Sequence, residues 1–326
     1  IEPPPPRPRP VLRPEAGAYL ANQSAAVNLF QQAMHDRLGE PGLAERLKSD
    51  DTLNSAWVRT AGDQADYGPL AKQLEVSSHR SVLQIGADLA RWGQSSRGQV
   101  GVMAATGQAN NTVVSNLTGY TAKGKVEGTA LGVYANWFAD PGASTGAYVD
   151  GWVQYGRFKN SVHGEGLQKE KYDARTVSGS VESGYAFRVL EGERSAVFVE
   201  PQAQLTYTDY RGGGTTEHNG TVVASEKAGG LSARTGVRIY GHDRTEQGHR
   251  VQPFAAVNWL HDRSRNAMSF DGAQMTGGAP KDRYEVNAGV QLLVSNRWSG
   301  WGSLGLQSGA NDYRNAGAQL GAKYSW

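Results

Sequence analysis

The chain has no cysteine among its 326 residues and a formal charge of only +2. It also has no stretch approaching the ~18 uninterrupted apolar residues that a membrane helix requires. The missing thiol suits passage through an oxidising compartment, where a stray cysteine could be trapped in a mixed disulfide. The missing apolar run excludes a helical membrane protein. With 38% hydrophobic residues and a mean hydropathy of -0.54, the composition is that of a water-soluble chain. Near-balanced charge gives no support to a nucleic-acid role. No His-Glu-x-x-His motif occurs. The chain starts at Ile1 without a signal sequence, so it is expected to be a processed or subcloned part of something longer. None of these absences excludes a β-barrel, whose wall needs apolar residues only at alternate positions around a polar lumen. The 42 glycines, 14 tyrosines and 8 tryptophans fit that alternative.

What is present divides at about residue 54. Ile1 to Pro14 carries seven prolines among arginines and reads as an extended spacer, giving a linker over residues 1–16. From Gly17 to Leu38 the pattern is helical, with Leu20, Val27, Phe30, Met34 and Leu38 on one stripe and Gly39-Glu40-Pro41 as the stop. The same helix carries Asn22, Gln23, Asn28, Gln31, Gln32 and Arg37, which lipid would not tolerate. It could cross a membrane only inside a water-filled pore. Residues 17–54 are therefore expected to hold this helix and its connection to the first strand.

After Ser55 the sequence alternates with period two. Clear cases are Leu131-Val133-Ala135-Trp137, Ala147-Val149-Gly151-Val153-Tyr155 and Val177-Gly179-Val181-Ser183-Tyr185-Phe187. With weaker candidates at both ends, twelve strands are expected over 55–326. An even number lets a single-chain barrel close. Connections alternate between long (63–78, 109–124, 160–173, 210–224, 263–280) and short (93–96, 140–143, 190–194, 241–248, 295–297), with only the last, 308–312, out of step. Long external loops and short periplasmic turns are what an outer-membrane barrel shows. Strand positions opposite the apolar stripes carry both signs of charge: Arg59, Asp150, Glu182, Arg188, Glu200, Gln202, Arg234, Arg238, Glu285 and Gln291 are expected to face the lumen. The chain ends on Gln319-x-Gly321-x-x-Tyr324-x-Trp326, a strand whose terminal aromatic suits lipid better than water.

Several of these segments resemble a known family. Arg13-Pro-Glu-Ala-Gly-Ala-Tyr-Leu-Ala-Asn-Gln, then Asn28-Leu-Phe and His35-Asp-Arg-Leu-Gly-Glu40, resemble the opening of the C-terminal translocator domain of monomeric AIDA-type autotransporters, the type V secretion system. Trp57-Val-Arg59 and the closing strand are similar to that family too. The resemblance implies an all-β membrane protein: a 12-stranded antiparallel transmembrane barrel with an N-terminal helix in its pore, in the bacterial outer membrane. It implies export of an N-terminal passenger to the cell surface, with the helix left behind. It also implies that Gln319, Gly321, Tyr324 and Trp326 are a signal read by the outer-membrane assembly machinery. Lipid, that machinery, periplasmic chaperones and the chain's own passenger are the expected partners of a monomer. No cofactor, metal or nucleic acid is expected.

Catalysis is the competing class. His35-Asp36, His242-Asp243 and His261-Asp262 each place base beside acid, but neighbours on a strand point to opposite faces and cannot form a dyad. Some members of the family release the passenger at paired asparagines in the pore helix. Here Asn22 and Asn28 are separated, and the pair Asn110-Asn111 falls in an expected external loop. No enzymatic activity is expected. The alternatives are a porin-like outer-membrane channel, which has no use for a polar helix behind a proline spacer, and an outer-membrane hydrolase, which would depend on a lumen or loop histidine.

Overall fold

Each period-two segment becomes a strand of a single antiparallel sheet in the computed structural model. The structure describes residues 11–39, 54–70, 72–93, 96–140, 145–192, 195–244, 250–263, 265–295 and 297–326. The proline spacer up to residue 10 and the connection 40–53 lie outside them. The helical segments are α1 (Pro14–Asn28) and α2 (Met34–Leu38). The strands are β1 (Ser55–Leu70), β2 (Leu74–Trp92), β3 (Arg97–Ser115), β4 (Thr121–Phe138), β5 (Gly146–Gly164), β6 (Glu170–Glu191) and β7 (Ser195–Gly212). They continue with β8 (Thr215–Thr216), β9 (Val222–Arg244), β10 (Arg250–Asp262), β11 (Arg265–Phe270), β12 (Ala273–Thr276), β13 (Asp282–Leu293), β14 (Trp298–Gly309) and β15 (Arg314–Ser325). β1 pairs with β15 from Ser55↔Ser325 to Asp66↔Arg314, and β9 pairs with both β7 and β10, so the sheet closes. Twelve strands make the wall. β8, β11 and β12 are short extensions on β9.

The wall has a smooth apolar exterior over its lower part, the part nearest Trp326. Leu131, Val133, Val153, Val181, Leu205, Ile239, Val257 and Leu304 are all exposed there. In water such a belt would aggregate, and in lipid it is the solvated surface. Aromatics rim it: Trp92, Trp137, Tyr185 and Trp298 below, Tyr155, Tyr207, Trp259 and Tyr284 above. At the lower rim, Trp298 and Tyr324 lie 4.8 Å apart between ring centroids, and Tyr324 and Trp326 5.9 Å.

Two expectations are corrected. The long external loops are mostly strand. β1 runs to Leu70 and β2 begins at Leu74, β3 runs to Ser115 and β4 begins at Thr121, and β5 runs to Gly164 with β6 starting at Glu170. The reason is that the apolar set changes face at this level. Val76, Val113, Val126, Val162 and Tyr172 point inward, where they pack with Tyr19 and Leu20 of α1 or with the next turns of the same segment. The single helix expected over Gly17–Leu38 is also broken, and the cause lies in the lumen wall.

Candidate functional site

Among the described residues, buried polar groups concentrate in the lumen, and α1 and α2 run through it. Ala-rich α1 starts with Pro14 in its first turn, which needs no amide donor there. Arg13 before it donates to Glu217 at 2.9 Å and to Thr221 at 3.2 Å at the upper mouth. Burial alone would lower the Arg13 pKa, but the Glu217 and Glu15 carboxylates outweigh it and hold it above its ordinary value. The Leu12 amide donates to Gln73 at 2.9 Å. Tyr19 packs 5.3 Å from Tyr172 and 5.9 Å from Phe270, centroid to centroid.

Asn22 is fully buried and triply held. Its Nδ2 donates to the Ser161 carbonyl at 3.0 Å and to Tyr172 at 3.4 Å, while its Oδ1 accepts from Asn111 Nδ2 at 2.8 Å. The wall is bare opposite it: a Cβ on Gly124 would lie 2.3 Å from Asn22 Oδ1. Gln23 Nε2 donates to Ser225 at 3.0 Å. Asn28 and Gln31 turn back on their own segment and donate to the Ser24 carbonyl at 2.9 Å and the Val27 carbonyl at 3.3 Å. Asn111 belongs to β3 and faces the lumen, not the external loop expected for it.

Between the helices, wall side chains take the carbonyls that a continuous helix would need for itself. Gln154 Nε2 donates to Phe30 O at 3.0 Å. Trp152 Nε1 and Gln204 Nε2 donate to Gln32 O at 3.2 and 2.9 Å. Buried carbonyls must be satisfied by some donor, and here the barrel supplies it. Helix resumes at Met34, where the Asp36 carboxylate accepts the Ala33 amide at 2.9 Å, and stops at Gly39 with φ +64°. A Cβ at Gly39 would lie 2.7 Å from Gln291 Oε1.

α2 is anchored by charge. The Met34 amide donates to Glu182 Oε2 at 3.0 Å, and His35 Nε2 lies 2.8 Å from Glu200 Oε1. Arg37 pairs with Asp150, with both side chains at most 1% exposed, and its guanidinium sits 4.5 Å from the Tyr134 ring centre. The remaining lumen residues support these anchors. Arg59 donates to Gln84 at 2.7 Å and to Gln319 at 3.0 Å. Arg234 lies 3.1 Å from Glu182 and donates to Gln204 at 3.1 Å. Gln202, Asn258 and Glu285 form a chain with links of 3.0 and 2.9 Å. Arg238 covers the Phe254 ring at 3.6 Å. Arg188 is the exception and a correction: it is exposed and pairs with Glu191 at 2.7 Å, because it stands among the last residues of β6, at the rim of the barrel rather than inside it. On the side that α1 leaves open, a polar cleft of about 240 Å³ remains, lined by residues including Asn28, Arg234, Arg283 and Glu285.

The four closing-strand residues separate by face. Gln319 and Gly321 point inward: Gln319 Nε2 donates to Asp36 Oδ1 at 2.9 Å, and Trp301 lies across Gly321, where a Cβ would fall 2.1 Å from the indole. Trp301 in turn donates to the Asp36 carbonyl at 3.2 Å. Trp326, on the other face, is exposed. Neither histidine–aspartate neighbour pair with described side chains forms a dyad. His35 meets Glu200 while Asp36 meets Ala33 and Gln319, and His261 meets Asp282 at 2.7 Å. The inward aromatics Trp57, Tyr134, Tyr148, Trp152 and Trp301 around α2 were missed in the sequence, although they stand out as large residues on the polar phase of their strands.

A family model described as the autotransporter β-domain matches residues 56–305. The uncharacterized protein YdeU of Escherichia coli (strain K12) is 36% identical over 327 residues, covering 97% of this chain and 70% of that protein. The probable autotransporter YfaL of the same strain is 29% identical over 320 residues, covering 98% of this chain and 24% of that protein. The chain thus spans a larger share of YdeU than of YfaL. In fold, it is similar to the transport unit of the autotransporter AIDA-I from Escherichia coli, with a TM-score of 0.85 and 24% identity over 97% of this chain and 100% of that one.

Proposed function

The chain belongs to the autotransporter β-domain family, and from that premise we propose that it exports its own N-terminal passenger and keeps α1 and α2 behind as the seal of the pore. Its barrel is an outer-membrane translocator domain, and family membership implies a passenger. In this reading residues 1–16 are the linker toward the passenger, 17–54 the plug and its connection, and 55–326 the translocator. One observation carries it: Gln154, Trp152 and Gln204 of the wall bond to main-chain carbonyls of the segment between the helices. Such a seat grips main-chain carbonyls outside a regular helix, which suits a chain that must pass without folding in the pore. The barrel acts as a monomer, and catalysis has no part in the reading. Assembly machinery and periplasmic chaperones deliver it, reading Tyr324 and Trp326 on the outward face. Gln319 and Gly321 serve the same strand from inside by holding α2.

Deleting residues 1–39 and recording single channels in planar bilayers tests the seal. Loss of the helices should raise conductance several-fold over the intact chain. Equal conductance for both would overturn the plug.

A further inference from the structure

Just above the apolar belt, the outer wall carries an arrangement that the export reading does not use. Arg157, Arg175 and Arg211 stand in one register row on β5, β6 and β7, paired Arg157↔Arg175 and Arg175↔Arg211. All three are exposed. Adjacent strands lie ~4.8 Å apart, so three guanidinium groups span about 10 Å. Like charges directly opposite one another destabilise a sheet, and nothing in the fold requires them to be in register.

Their surroundings show what would offset the repulsion. One step down the same faces come Tyr155, Val177 and Asp209, then Val153, Gly179 and Tyr207, and then Gly151, Val181 and Leu205, and apart from Asp209 these are uncharged lipid-side positions. One step up come Lys159 and Asp173. Arg211 also donates to Asp209 at 3.0 Å, and Arg157 to Tyr155 at 3.4 Å. Glu127 is matched by Lys125 at 2.7 Å. That leaves four cations, the three arginines and Lys159, against two carboxylates, Asp173 and Asp209. A groove of about 1190 Å³ lies along the row, lined by residues from Leu83 to Gly213 that include Thr129, Tyr155, Arg157, Arg175 and Arg211.

We propose that the Arg157–Arg175–Arg211 row binds the phosphate of an anionic lipid headgroup in the outer leaflet, with the acyl chains lying on the belt below. Arginine suits this role because its planar fork grips phosphate oxygens in pairs, and a charge-assisted bond is roughly twice as strong as a neutral one. The height also fits. From Ala147 to Tyr155 the outward face of β5 is uncharged, a length of nine residues, which matches the ~9–11 residues with which a tilted strand crosses the bilayer. Arg157 is the first charge above it. The inference rests on the outer-membrane placement but not on the plug.

The test uses the intact chain folded in detergent micelles, titrated with phosphorylated lipid A, with the same lipid stripped of phosphate, and with inorganic phosphate. The wild type should prefer the phosphorylated lipid by at least tenfold. R157Q/R175Q/R211Q should erase that preference, and R175Q alone should reduce it about threefold. Heat-modified gel mobility reports folding, and a lysine triple that keeps the charge but loses the fork should retain a weakened preference. Equal binding of both lipids by the wild type, or an undiminished preference in R175Q and the glutamine triple, overturns the site. Inorganic phosphate competing as well as the lipid overturns the lipid as its source. Recovery of each variant in outer membranes is scored separately, so a barrel that inserts but does not discriminate condemns only the phosphate site.

Discussion

The lower and upper parts of this barrel are built from the same strands with opposite polarity. In the lower part Val133, Val153, Val181 and Leu205 face out, while Asp150, Glu182, Glu200 and Arg238 face in. In the upper part Lys123, Lys125 and Lys171 face out, while Val113, Val126, Val162 and Tyr172 face in. The wall does not twist over to achieve this. On β6 the odd positions Val177 and Val181 are outward and the even positions Ala174 and Tyr172 inward, so the apolar phase steps by one residue where the lipid ends. The difference teaches that each half is matched to its own outer solvent. The helical segment then adapts: it is held by packing above and by ion pairs below.

Breaking the lower half should be the costlier experiment. Asp150→Ala leaves the Arg37 guanidinium buried without its carboxylate, and such a broken pair costs about 3–5 kcal/mol. Denaturant titration in micelles should show that loss, with more frequent channel opening as α2 leaves its seat. In the upper half, Leu20→Ala removes a fully buried side chain and should cost about 2–4 kcal/mol, because the cavity is lined by packed neighbours. The cost should be insensitive to salt. If Leu20→Ala proved neutral while Asp150→Ala did not, packing would not be what holds α1, and the contrast would fail.

The same inversion decided what the sequence could disclose. The twelve wall strands were legible because lipid enforces strict alternation on one face, as in Val177-Gly179-Val181. Above the belt the apolar residues sit on the other phase and are spaced by charges, so segments such as 109–115 and 121–126 looked like loops. Most lumen positions were legible from charge on the polar phase. Arg188 was not, since it keeps the polar phase but stands at the rim of the barrel, and the point where a strand leaves the lumen makes no mark in composition. The break after Asn28 was illegible for a different reason: its cause is three donors, Trp152, Gln154 and Gln204, more than a hundred residues away. Local propensity carries no record of partners that only closure brings together.

The smallest effect, set against a large one on the same strand, should locate the boundary itself. Val181 lies midway along the outward face of β6 within the belt, and Lys171 lies on the same face above it. Placing lysine at position 181 puts a charge near the bilayer midplane, which costs about 2–4 kcal/mol in barrels of this kind. Lys171→Val should change stability by no more than about 0.5 kcal/mol, as surface changes away from special features do. Unfolding in liposomes would measure both. Because the two positions share a strand and a face, propensity and register cancel, and only the surrounding solvent differs. A Val181→Lys barrel as stable as the parent would place position 181 in water and move the belt, whereas a large gain in stability for Lys171→Val would raise the membrane above the arginine row.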